Sequence, residues 1–119
     1  MKEVIQNAQI DRTFFGIEDH GILTFFIHLQ YDECGYQGFG GYSLDGHGEG
    51  WGKWLLFVRA LLRALEIEKW EELPGCYCRV KREDGSMHAK PFAIGHPIKD
   101  KWADIRDYLP EQEGEDENV

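Results

Sequence analysis

Eight of the fourteen glycines fall between positions 35 and 52, in the run GYQGFGGYSLDGHGEGWG. Glycine turns with positive φ and lets other groups approach the backbone closely, at an entropic cost that folding must recover. Tyr36, Gln37, Phe39, Tyr42, Ser43, His47 and Trp51 alternate with these glycines. The run therefore answers one of two needs, a set of bends and bulges or a binding surface.

At 119 residues the chain is long enough for one domain with a real core. A hydrophobic fraction of 42% and an aromatic fraction of 13% fit a globular protein. The greasiest segment, 54–65, is interrupted by Arg59 and Arg63, well short of a membrane span. The first residues, MKEVIQNAQIDR, lack an apolar run and a cleavage site. The expectation is a cytoplasmic protein without membrane contact. Cys34, Cys76 and Cys78 lack the spacing of a zinc site and read as reduced, structural thiols.

The formal charge is −9, with five acids and no base in the segment 111–119. Domain organisation follows as one α+β domain over 1–110 and a solvated, disordered acidic tail over 111–119. Between 79 and 101 the balance reverses, with six bases against three acids. Overall acidity argues against general nucleic-acid binding, while the basic stretch leaves room for a small anion.

Strands are expected at 10–15, 22–31, 37–44, 76–82 and 88–95. Ile10, Arg12 and Phe14 share one face of the first. In the second, Phe25, Ile27, Leu29 and Tyr31 form an apolar face. Glycines 38, 40 and 41 suggest a bulge or a crossing backbone in the third. Trp54, Leu55, Val58, Leu61, Leu62 and Leu65 recur at helical spacing, with Leu56, Arg59 and Arg63 opposite. A short turn follows at 68–72. Asp84-Gly85 marks a hairpin, and Pro91 an edge position or bulge. Asp100 caps a short C-terminal helix over 101–109. The order is β-β-β-α-β-β, an antiparallel sheet of about five strands covered on one face by one main helix.

Among the chemical motifs, Gly48-Glu49-Gly50-Trp51-Gly52-Lys53 fits a phosphate loop poorly, since Glu49 repels phosphate and Trp54 stands where Ser or Thr is needed; a helix N-terminus that holds an anion through its free amides is the alternative there. Asp19-His20 and Asp45-Gly46-His47 each place an acid beside an imidazole, but no activated nucleophile accompanies them. The five histidines show no metal-ligand spacing, and no cofactor is indicated. Tyr77, Arg79 and Lys81 share a strand face, with Arg82 at its end. Stacking, a guanidinium fork and an ammonium suit a phosphate or nucleotide. Tyr36, Phe39, Tyr42 and Trp51 are candidates for an exposed stacking surface or an oligomer interface.

The segments GIEDHGILTFFIHLQYDECGYQGFGGYSLDG and WEELPGCYCRVKREDG resemble a family of small phage and prophage proteins without an assigned activity. The resemblance spans about 15–102 and rests on QGFGGYSLD after a strand and LPG before a basic strand. It carries over no catalytic residue. It implies a phage accessory protein that counters bacterial defence. The expected function is a non-enzymatic sponge for a nucleotide-derived immune signal of the cyclic oligonucleotide or cyclic ADP-ribose type, acting as a homo-oligomer. Phe39, Tyr42 and Tyr77 would stack on the ligand; Arg79, Lys81 and Arg82 would hold its phosphates. The alternative is an inhibitor that binds a bacterial defence protein and mimics nucleic acid with its acidic surface. A third reading is a small hydrolase with His20 or His47 as base.

Overall fold

The structure, a computed structural model, describes residues 3–32, 35–44, 51–86 and 89–108. It is an α+β fold with one six-stranded antiparallel sheet and one main helix. The strands are β1 (Val4–Ile17), β2 (Leu23–Tyr31), β3 (Tyr36–Gly40), β4 (Tyr77–Arg82), β5 (Pro91–Gly95) and β6 (Trp102–Asp104). The helix α1 spans Trp51–Ala64. Strand order is β3-β2-β1-β4-β5-β6. No helix among the described residues is long and apolar enough to cross a membrane.

The expected five strands become six, because the short terminal helix is only partly helical. Trp102–Asp104 pairs with β5 and buries Ala103, and a 3₁₀ turn follows at Ile105–Asp107. Asp104 caps that turn by accepting from the Arg106 amide at 2.8 Å; Asp100 instead accepts from Trp102 Nε1 at 3.0 Å. The 3₁₀ turn Trp70–Glu72 lies within the turn expected at 68–72.

β1 is longer than expected and does not keep one face. The pairing with β2 runs Ile10↔Leu29 and then Arg12↔His28, so Asp11 is an extra residue, a β-bulge. An inserted residue reverses the parity of everything after it. Ile10 is therefore on the core side, whereas Arg12 and Phe14 pair with His28 and Phe26 on the opposite face.

The apolar face of β2 holds as expected: Phe25, Ile27, Leu29 and Tyr31 are all buried. α1 covers this face with Trp54, Phe57, Leu61 and Ala64. Phe57 sits inside and Leu55 outside, a rotation of the predicted stripe. Phe57 packs on Phe25 and Phe39, with ring centroids 6.1 and 5.5 Å away. Pro91 lies at a bulge: Lys81↔Ala93 is followed by Arg82↔Pro91.

The helix ends in a Schellman arrangement. The Ile67 amide donates to the Leu62 carbonyl at 3.0 Å and the Glu66 amide to the Arg63 carbonyl at 3.1 Å. Its left-handed residue is Glu66, with φ of 61°, where glycine is usual.

Candidate functional site: the uncovered sheet face

Side chains alternate across a sheet, so the face away from α1 is read from the pairing register. It carries Ile5, Asn7, Gln9, Arg12 and Phe14 from β1, with Thr24, Phe26, His28 and Gln30 from β2. Tyr36 comes from β3, Tyr77, Arg79 and Lys81 from β4, and Trp102 and Asp104 from β6. The only acid in this registered set, Asp104, is held by Arg106 at 2.7 Å. Of the three cations in the set, Arg12 is exposed, and Arg79 and Lys81 are half-buried.

One cross-strand row runs over four strands. Tyr36 pairs with Gln30, Gln30 with Gln9, and Gln9 with Tyr77. These residues, far apart in sequence, stand side by side across four strands. The two tyrosines are 70% and 66% exposed. Three interstrand steps separate them, about 14 Å. Gln9 is partly engaged, donating to the Gly75 carbonyl at 3.1 Å.

Beyond Tyr77 the face becomes basic. The Trp102 ring lies under two cations, with Lys81 Nζ 4.3 Å and Arg79 Cζ 5.0 Å from its centroid. Arg79 also donates from Nε to the His96 carbonyl and from Nη2 to the Lys99 carbonyl, both at 2.9 Å. Its fork is largely committed to holding loop 96–101. Arg12, by contrast, makes no hydrogen bond or ion pair among the described residues. At the other end the face dips into a hollow of about 440 Å³ lined by Phe14, Phe26, His28, His20 and Thr24, with the acids Glu18 and Asp19 also in its lining.

Of the six residues predicted to bind ligand, Tyr77, Arg79 and Lys81 share this face. Phe39 does not: it pairs with Ile27 on the core side, 3% exposed, against Phe57. Tyr42 is also on the helix side, stacked on Trp54 at 4.0 Å with an interplanar angle of 9°. Arg82 is 8% exposed and on the core side of β4. It ties the β4–β5 connection to β1, donating to the Ser86 carbonyl at 2.9 Å and to Gln6 Oε1 at 2.7 Å. Parity explains Arg82: three residues after Arg79, it must face the other way. Sequence reasoning missed Arg12, Gln30 and Trp102 as members of the face that carries Tyr77, and placed Tyr36 only as a loose aromatic. The first depends on the bulge, and the others on strand order.

Two glycines show what the glycine-rich run does here. The tip of the Phe26 ring lies over Gly38, where any Cβ would collide with it. Gly40 has φ of 121° and runs close to the Phe25 carbonyl. Pairing of β2 with β3 is otherwise regular, without the expected bulge. Residues 45–50, with Asp45 and His47, lie outside the described residues, as do Cys34, His88 and the acidic segment 111–119. Trp51 opens α1, but its side chain is likewise outside them.

The histidine candidates separate. His20 is highly exposed and contacts Glu18, not Asp19, through both its backbone amide and its ring. His96 Nδ1 accepts from the Ile98 and Lys99 amides at 3.0 and 2.9 Å, a turn-forming role that fixes the acceptor nitrogen. Burial pushes the Cys78 thiol up to about 12, and Cys76 upward as well, so neither is a poised thiolate. Neither a protein-family model nor a curated protein sequence matches the chain.

Proposed function

We propose that the uncovered sheet face binds a nucleotide-derived anion without turning it over. The observation that carries this reading is the Tyr36–Gln30–Gln9–Tyr77 row beside Arg12, Arg79 and Lys81. Exposed tyrosines on a rigid sheet offer π faces at little entropic cost. Glutamine amides complement the donor and acceptor edge of a base. Lys81 and Arg12 supply charge for phosphate, and the paired strand positions of this face hold three cations to one acid, a balance that favours an anion there. In the setting that the family resemblance implies, such a protein acts as a sponge that sequesters a nucleotide immune signal. The inhibitor reading rests on overall charge, and much of that charge sits in segment 111–119.

A thermal-shift screen against cyclic dinucleotides, cyclic trinucleotides and ADP-ribose derivatives tests the proposal. A ligand that binds only the folded protein raises Tm by mass action. The reading expects a shift of several degrees with one of them, and the nucleotide recovered intact. Recovery as a cleaved product would point to the hydrolase. No shift across the panel would favour an inhibitor of a bacterial defence protein.

A further inference from the structure

We infer that a groove on the helix side is a second anion site, taking the phosphate group of a small molecule. The groove lies between α1 and β6, has a volume of about 490 Å³, and is separate from the Tyr36–Tyr77 row. Arg59 and Arg63 line it from successive turns of α1, and Lys101 from the loop before β6. Leu56, Trp102 and Tyr108 provide its apolar walls.

Charge carries the argument. The chain has 22 acids to 13 bases, yet all three charged residues in this lining are basic. Lys101 is already paired: Glu66 accepts from it at 2.6 Å and from Lys99 at 2.8 Å. Arg59 and Arg63 have no ion pair or hydrogen bond among the described residues. Like charges at i and i+4 on a helix repel. The helix dipole offsets this for Arg63 in the last turn but does little for Arg59, a turn further back. Two uncompensated guanidinium groups one turn apart suit the oxygens of a phosphate, which accept paired N–H donors. The size falls within the range that holds small ligands. The wall is also fixed in place. Arg79 ties down the His96 and Lys99 carbonyls, and Glu66 ties down both lysines, so Lys101 is held at the end of α1.

The test is titration of the full chain with inorganic pyrophosphate and with AMP, followed by amide NMR shifts. Saturable shifts at Arg59, Arg63 and Lys101 are expected, without matching shifts at Tyr36 and Gln9. Arg59→Ala/Arg63→Ala should weaken binding by at least about tenfold, with Tm unchanged or slightly raised. Arg59→Lys/Arg63→Lys should recover only part of it. Tyr36→Ala, at the far edge of the uncovered face, should leave it unchanged, which separates this site from the proposed nucleotide face. Equal affinity in the double alanine variant, or no saturable shift at Arg59, Arg63 and Lys101, would overturn the inference. So would binding seen only after removal of 111–119, which would identify the chain's own acidic segment as the occupant.

Discussion

The Trp102 indole lies across Gly95, leaving no room for a side chain there. A Cβ on Gly95 would stand 2.5 Å from Trp102 Cε3 and 2.7 Å from the Lys101 carbonyl oxygen. The second of these is backbone and cannot step aside cheaply. Gly95→Ala should therefore cost about 1–3 kcal/mol and move Trp102 out from under Lys81. Urea unfolding gives the first quantity, and the intrinsic fluorescence of the folded state reports the second. A variant of unchanged stability would mean that the ring does not lie over Gly95.

Phe39 and Tyr77 separate core from surface. Both are aromatic residues on strands, but Phe39 is enclosed by α1 while Tyr77 faces solvent. Phe39→Ala should lose about 3–5 kcal/mol. Tyr77→Ala should stay within about 0.5 kcal/mol of the parent. Chemical denaturation of the two variants side by side checks the contrast.

Glu66 links the end of α1 to loop 96–101. Hydrogen bonds from Lys101 first and Lys99 second hold its carboxyl at about 2, below the ordinary 4.5. An unfolded chain takes up this proton near 4.5, whereas the folded protein resists until about 2. The contribution is complete above 4.5 and disappears as pH falls towards 2. The difference in Tm between the parent and Glu66→Gln should shrink over that interval. Glu66→Gly relieves the left-handed backbone at this position but loses the tether, so it should fall closer to the parent than Glu66→Ala at neutral pH. A pH-independent difference for the glutamine variant would contradict the tether.

Cys78 is buried and its thiol sits near 12, while Cys76 is half-buried and donates to the Glu72 carbonyl at 3.1 Å. In a Cys34→Ser background, a disulfide reagent should modify Cys76 slowly. It should reach Cys78 only as fast as the protein opens. Equal rates for both thiols would show that β4 is not packed as described.

The sequence carried its clearest signals where one period runs uninterrupted. β2 keeps an apolar face from Phe25 to Tyr31 and β4 alternates from Tyr77 to Lys81, and both faces are as the alternation implies, whereas Arg82 breaks the pattern as a charge on the core side. The signal failed where a single residue breaks the count or a segment is too short to show one. Asp11 turns Arg12 and Phe14 to the uncovered face without any mark in composition. At the start of β1 the buried side holds Gln6, whose partner is Arg82, while Ile5 is exposed. That pattern inverts hydrophobicity and hides the strand. β6 has three residues and one buried side chain, which helical spacing mimics. Of the candidate site, the basic strand was visible in sequence. The Tyr–Gln–Gln–Tyr row was not, because it exists only once β3, β2, β1 and β4 are placed in order.

The measurement that tests the central claim most directly is calorimetric titration of the cyclic dinucleotide, cyclic trinucleotide and ADP-ribose panel. It compares the parent with Tyr77→Ala/Lys81→Ala, whose fold is checked by Tm. Stacking on one aromatic is worth about 1–3 kcal/mol, and a charged hydrogen bond about 1.5–3 kcal/mol. The account predicts that one member binds the parent and that the double variant loses about a hundredfold or more in affinity. A ligand that binds both proteins equally, or a panel in which nothing binds the parent, would contradict a nucleotide site on the uncovered face.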